Sequence, residues 1–499
     1  MRRMTAFILA AALCLQLGAF AADTGGNDLG DPLRTQQWAL ANDGSFLITP
    51  KRGGFPVFDV PLLRAVGVLS TTAQLNPVRP VAGVDIGWQA ACERFRGQQT
   101  VTVALIDTGV DTSHPDLAGS FWVNPGEIPG NGIDDDHNGY VDDENGWNFY
   151  GNNKELYTPG EDWHGTHCAG TIAAVSGNGI GISGIVPDGR AKIMVLKALG
   201  GREGTGTADS IVRAIAYAEA NGAAVCNLSL GTSEDDPALL EAMKKSKMLF
   251  VVAAGNGDSG QGYNADKYPS YPAAYNLDNV ISVANLTCGG TLAQSSNYGR
   301  TTADLAAPGT NILSTVPGGY AYMSGTSMAA PMVTAAAAML FSMYPSATAA
   351  QVRDTLCAAA RPVAVLEGVV ASGGMLDLDA ALARGISAKK AFTPKAASGT
   401  APELQVELIS RGGVYYLAVR VTDRDGDLLR AAWHSGAWTA DLFMDGGVDW
   451  PLTLSERNTA ILQVERSGSY TVYAVDRAGH ETVRTVTLAR SGWRMRMVS

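Results

Sequence analysis

Charge is scarce in this chain. Asp, Glu, Lys and Arg together make up 17% of its 499 residues, little for a cytosolic protein, and they sum to a net charge of −11. An acidic surplus of this kind argues against nucleic acid as a partner. Cysteine is scarce as well: six residues, of which Cys14 lies in an N-terminal apolar run. The remaining five, Cys92, Cys168, Cys226, Cys288 and Cys357, are an odd number, so few or no disulfides are expected. Ligands at zinc spacing are missing too, because His164 and His167 have neither a Glu between them nor a third His or Cys after them. The stretch that reads as a targeting segment is at the start. Met1-Arg2-Arg3-Met4, the apolar run through Phe20 and Ala19-Phe20-Ala21 have the three-part form of a secretory signal over residues 1–22. No cysteine stands at the cleavage region, which disfavours a lipoprotein. A secreted or cell-surface protein with no membrane span after signal cleavage is expected.

The most informative stretch is Gly325-Thr326-Ser327-Met328-Ala329-Ala330-Pro331. From Met332 to Tyr344 only Thr334 and Ser342 are polar before the terminal tyrosine, so the helix predicted here must be buried. Its N-terminus would aim free N–H groups and a positive dipole end at Ser327. Alone, the stretch is equally an ordinary serine cap on a core helix. Two further segments bear on that choice. Val101–Ile106 reads as a buried strand that places Asp107 at its carboxyl end, where sites form in open α/β sheets. His164-Gly165-Thr166-His167-Cys168-Ala169-Gly170 opens a helix of small residues.

In their order Asp, His, Ser, these segments resemble the subtilisin-like serine peptidase family over about residues 32–385. The resemblance implies that Ser327 is the nucleophile, His164 its general base and Asp107 the group that orients the imidazole. His167 would then be structural, and Cys168 a small buried hydrophobe rather than a nucleophile. Asn256, ending the apolar run Val251–Ala254, matches the family's oxyanion-hole amide. Loss of such a donor costs about 10²–10³-fold in turnover, the magnitude established for enzymes of this family. Ser229, Leu230 and Gly231, with Gly204, Thr205 and Gly206, match the two segments that flank an extended peptide, so protein or peptide substrates are implied. Ser270 is placed in the pocket for the residue before the scissile bond, with Asp258 and Asp266 near in sequence. A neutral or apolar preference and broad specificity are expected. A competing reading, a non-catalytic surface binding protein on a peptidase scaffold, expects Asp107, His164, Ser327 or Asn256 to be lost, and none is. A narrow-specificity processing peptidase is the enzymatic alternative. A monomer is expected.

Residues 134–143 fit the pattern D-x-D-x-N-G-x-x-D, which suits structural calcium held by Asp134, Asp136, Asn138, Tyr140 (by its carbonyl) and Asp142. The bidentate Glu of an EF-hand is absent, and Asn145 stands in its place. The resemblance implies a second calcium site at Asp116 and Asn178, completed by Gln36 or Gln37. No cofactor is needed for the chemistry.

Residues 23–97 read as an N-terminal extension that leaves no room for the usual inhibitory propeptide before Asp31–Trp38, so either the enzyme folds without one or residues 39–80 do some of that work. From 98 to 385, buried strands alternate with helices, examples being strand 192–196, helix 208–221 and strand 223–230. The pattern implies an α/β fold with a mostly parallel sheet covered by helices on both faces, and the resemblance implies the subtilisin-like three-layer arrangement around it. Thr348 caps a helix over 349–360. Residues 386–401 read as a linker. Beyond them, roughly seven short alternating strands over residues 402–490 imply a small all-β sandwich resembling Ig-like modules.

Overall fold

The computed structural model describes residues 30–45, 79–257, 260–386 and 400–498, apart from short stretches of the last segment (425, 427, 441–442, 444–449, 453, 456–457, 465, 477–479 and 492–493). The signal segment, much of the extension before residue 98 and most of the linker lie outside the described residues.

Nine strands form the central sheet: β1 (Val101–Asp107), β2 (Gly146–Asn148), β3 (Ala191–Lys197), β4 (Val225–Leu228), β5 (Leu249–Ala253), β6 (Val280–Leu286), β7 (Leu305–Pro308), β8 (Arg361–Pro362) and β9 (Gly374–Met375). Their order is β8-β9-β7-β6-β5-β4-β1-β3-β2, parallel throughout except for the β8–β9 pair. Continuous apolar strands suit such a sheet because both faces are covered.

Side-chain alternation then assigns every residue to a face. Val103 and Leu105 of β1 join one core, with Val195, Val225, Val251 and the helix Thr326–Met343. Ala104 and Ile106 join the other, with Leu196, Cys226 and the helix Ala208–Ala220. By the same parity Asp107, Lys197, Asn227 and Ser229 fall on the first face. Polar residues at the carboxyl ends of β1, β3 and β4 are thereby aimed at one place.

The helix Thr326–Met343 is buried along its length except at Met343. It is apolar and long enough to cross a membrane, yet 94% of that window is buried inside the protein, as expected of a core helix. The predicted helix at 349–360 spans Ala349–Ala359, with Thr348 and Gln351 forming a reciprocal capping box. The helices Trp88–Arg94, Pro237–Lys245 and Leu378–Arg384 were not singled out from the sequence; the last follows the predicted helix at 349–360. The seven residues of Leu378–Arg384 are too few for a periodic pattern to stand out.

The C-terminal region carries two antiparallel sheets. One has three strands, Glu403–Arg411, Val414–Thr422 and Thr459–Val464; the other has five, among them Leu428–Ser435, Gly468–Asp476 and Glu481–Ser491. Leu404, Leu417 and Val419 from the first and Val472, Ala474 and Val486 from the second share one core.

Candidate active site

β1 delivers Asp107, and the helix Trp163–Ala173 delivers His164. Nδ1 of His164 lies 2.8 Å from Oδ1 and 3.0 Å from Oδ2 of Asp107, with both residues buried. The approach depends on Gly165, where a Cβ would sit 2.1 Å from the Gly109 carbonyl oxygen and 3.2 Å from Asp107 Oδ1. Asp107 Oδ1 also accepts from the Thr108 N–H at 2.7 Å, while Thr108 Oγ1 accepts from the Gly165 N–H at 3.2 Å. Burial pulls the His164 pKa down, but the charge and hydrogen bond of Asp107 together outweigh it, and the net shift is upward from 6.5.

Ser327 occupies the second position of its helix, after the cap Gly325. Its Oγ donates to the Ser229 carbonyl at 3.3 Å. Pro331 explains how its carbonyl is used. Proline has no N–H, so the i−4 carbonyl, that of Ser327, loses its helical partner. Ser229 Oγ donates to it at 3.0 Å and Cys168 Sγ at 3.5 Å. Cys168 is also a common neighbour of the other two groups, since ligand atoms of Asp107, His164 and Cys168 all lie within 4.8 Å of one another. The three sequence-predicted residues therefore converge around one thiol. Among the described residues, however, no hydrogen bond joins Ser327 Oγ to His164. Such bonds are often loose without substrate.

Asn256 follows β5 and faces the same helix. Its Oδ1 accepts from the Thr326 N–H at 2.9 Å and from Thr326 Oγ1 at 3.2 Å, which turns Nδ2 away as an available donor. The Ser327 N–H is one of the helix's unpaired N-terminal donors. Both groups stand at the start of the helix that carries Ser327. Cys168 itself is buried, and burial raises its thiol pKa well above the ordinary value, which leaves it inert. His167 is structural: its Nε2 contacts the carbonyls of Ile312 (3.0 Å) and Ala321 (3.2 Å), and burial lowers its pKa to about 3.

The segments expected to hold a peptide follow the carboxyl ends of β3 and β4. Thr205–Gly206 is a short exposed strand paired with Leu199–Gly200, and Gly204 precedes it. Ser229, Leu230 and Gly231 leave the end of β4. Ser270 Oγ lies 3.0 Å from where a Cβ on Gly231 would be and 3.2 Å from the same point on Gly255, so it sits between two walls. Asp266 is not at the base of this pocket, because its Oδ1 is taken by the N–H and hydroxyl groups of Thr301 and Thr302. Asp258 lies outside the described residues.

Sequence reasoning missed a buried ion pair next to the histidine. Lys197 Nζ lies 2.5 Å from Asp162 Oδ1, with both side chains almost fully buried, and it also bonds to the Thr108 carbonyl. Asp162 is the residue at which the His164 helix starts, and Lys197 is in register with Asp107. The pair ties the histidine helix to the end of β1. Burial holds the Asp162 carboxyl up, to about 6, against the pull of Lys197.

The acidic loop differs in detail from the expected set. Carboxylate oxygens of Asp134 and Asp136 lie within 4.8 Å of each other and of Glu127, a residue outside the motif. Asp142 instead pairs with Lys154 at 2.9 Å and accepts from the Gly132 N–H. Asn138 Nδ2 donates to Asp136 and Asp143, and its Oδ1 accepts from the Tyr140 N–H. The Tyr140 ring packs against Trp147, Phe149 and Tyr217. At the second predicted site, Asp116 and Asn178 do meet, but as acceptor and donor at 2.9 Å. Ile182 N–H and Tyr320 OH fill the other Asp116 oxygen. Gln37 is fully engaged by Ser183, and Gln36 accepts from Tyr322 OH.

A mostly parallel sheet with a carboxylate, an imidazole and a helix-borne serine gathered at its carboxyl edge defines the class of subtilisin-like serine proteases. The comparisons agree. Residues 98–394 match the subtilase family, and the chain belongs to it. It is 40% identical to the major intracellular serine protease of Bacillus subtilis (strain 168) over 246 residues, 48% of this chain and 68% of that protein. Subtilisin-like protease 1 of Plasmodium falciparum (isolate 3D7) is 34% identical over 310 residues, but the match spans only 44% of its length. A solved structure of a protease from Pseudoalteromonas arctica superposes with a TM-score of 0.51 at 25% identity, covering 71% of this chain and 98% of that one.

Proposed function

We propose that the protein is a secreted serine endopeptidase that hydrolyses peptide bonds through Asp107, His164 and Ser327. The observation that carries this reading is the 2.8 Å contact between His164 Nδ1 and Asp107, which leaves Nε2 as the basic nitrogen available to serve Ser327. His164 takes the Ser327 proton as Oγ attacks the carbonyl carbon, and later gives it to the leaving amine. Asn256 Nδ2 and the Ser327 N–H hold the developing oxyanion. Water then repeats the sequence on the acyl-enzyme. The substrate lies extended between Thr205–Gly206 and Ser229–Gly231 and pairs through its backbone, which gives broad specificity. Ser270 and the glycines facing it give a primary pocket without charge, suited to neutral or apolar residues. The N-terminal segment 1–22 supports export, and a monomer suffices for this site.

Calcium is proposed for the acidic loop. Glu127, Asp134 and Asp136 offer converging hard oxygen donors, and a bound cation there would relieve their mutual repulsion and stiffen the loop. Asp116 and Asn178 satisfy one another and form the weaker candidate. Incubation with a fluorophosphonate probe tests the catalytic reading. Covalent labelling should map to Ser327 and disappear in His164→Ala, whereas labelling elsewhere, or none, contradicts it.

A further inference from the structure

We propose that the C-terminal β-module braces the wall of the primary specificity pocket, docking through Tyr263, Lys267 and Tyr268, and so sets selectivity for the residue before the scissile bond. The proposal rests on the reading of Ser270 as part of that pocket.

The docking is visible as a shared core. Ala432, Phe443, Tyr473 and Val475 of the module form a buried cluster, and Tyr263 and Tyr268 of the peptidase domain pack against it. Phe443 and Tyr473 stack at 5.1 Å within the cluster, and both are buried. At its edge Lys267 Nζ lies 2.5 Å from Glu481 Oε2, while Oε1 of the same glutamate accepts from Tyr473 OH at 2.9 Å. Glu481 thus joins the module's buried tyrosine to a lysine of the other domain. The Lys267 ammonium also lies 5.4 Å from the centre of the Tyr268 ring.

From the docked segment two short routes lead to the pocket. Along the chain, Ser270 follows Tyr268 by two residues, and Tyr271 exchanges both backbone hydrogen bonds with Thr232, beside Gly231. Across the fold, Asn297 Oδ1 accepts from the Tyr263 N–H at 2.9 Å, and its Nδ2 donates to the Ala254 carbonyl at 2.9 Å. The Asn297 N–H bonds to the Gly255 carbonyl, also at 2.9 Å. Gly255 has a φ of +102°, and a Cβ there would lie 2.4 Å from Asn297 Nδ2. The backbone just before Asn256 is therefore clamped between Asn297 and Ser270. Displacing residues 263–268 shifts both walls of the pocket together, because each link is a direct contact.

A charge-reversal cycle in the full chain tests this. Lys267→Glu, Glu481→Lys and the double reversal are compared with wild type by kcat/KM on two peptides that differ only before the scissile bond, one small and one large and apolar, with melting temperature measured alongside. Each single reversal should change the selectivity ratio by about three-fold or more, and the double reversal should bring it back toward wild type. Tyr268→Ala, which removes apolar contact and no charge, should shift the ratio in the same direction and serves if a single reversal fails to fold. A ratio that stays constant while stability falls would overturn the proposal and leave a purely structural role. Failure of the wild type to cleave any peptide would instead refute the catalytic reading, and the proposal with it.

Discussion

His164 sits where two effects oppose each other. Burial favours its neutral form, and the Asp107 carboxylate at 2.8 Å favours the charged one; the carboxylate wins, so the folded pKa lies above 6.5. As the proposed general base, His164 works only when neutral, so activity is expected to fall as pH drops through that raised value. Stability runs the other way: the charged pair contributes fully below the unfolded pKa and is lost as pH rises through the folded one. Peptidase pH profiles should show an acid limb above the ordinary histidine value. Asp107→Asn leaves burial unopposed, so the limb should move to lower pH while kcat drops by about 10⁴. An unmoved limb would show that Asp107 does not act on the base.

The elements show what a one-dimensional reading can and cannot deliver. Asp107, His164, Ser327 and Asn256 were legible because each ends or begins an apolar segment, and parity along β1, β3 and β4 puts the neighbouring polar residues on one face. Lys197 was not legible, since it reads as the polar end of a strand until Asp162 arrives from 35 residues away. The approach of Glu127 to Asp134 and Asp136 did not show, because Glu127 lies outside the acidic motif. Nor does spacing reveal that Lys154 pairs with Asp142. Lys197→Met leaves Asp162 buried and unpaired, so stability near neutral pH should fall by about 3–5 kcal/mol. The carboxyl pKa then rises further, so the deficit should shrink as pH falls and Asp162 is protonated. A pH-independent deficit in chemical denaturation would argue against this account. For the acidic loop, chelation should lower the melting temperature of the wild type and have less effect on Asp134→Asn/Asp136→Asn. Equal melting curves with and without chelator would remove calcium from the loop.

At the scale of the molecule, two cores flank one sheet, and a third fills the C-terminal module. The change from helix-and-strand alternation to short strands announced that module in the sequence. Its docking did not show, because Lys267 and Glu481 meet only across more than two hundred residues. On the first face of the sheet, strand ends and the N-termini of two helices meet at one edge. The proposed function gives that arrangement its purpose, a hydroxyl made nucleophilic at that edge. The decisive measurement is the single-turnover and steady-state cleavage of a peptide substrate by the wild type and by Ser327→Ala. The account predicts a loss of about 10⁶-fold in kcat with the fold and the melting temperature retained. Cleavage by Ser327→Ala at the wild-type rate would contradict it.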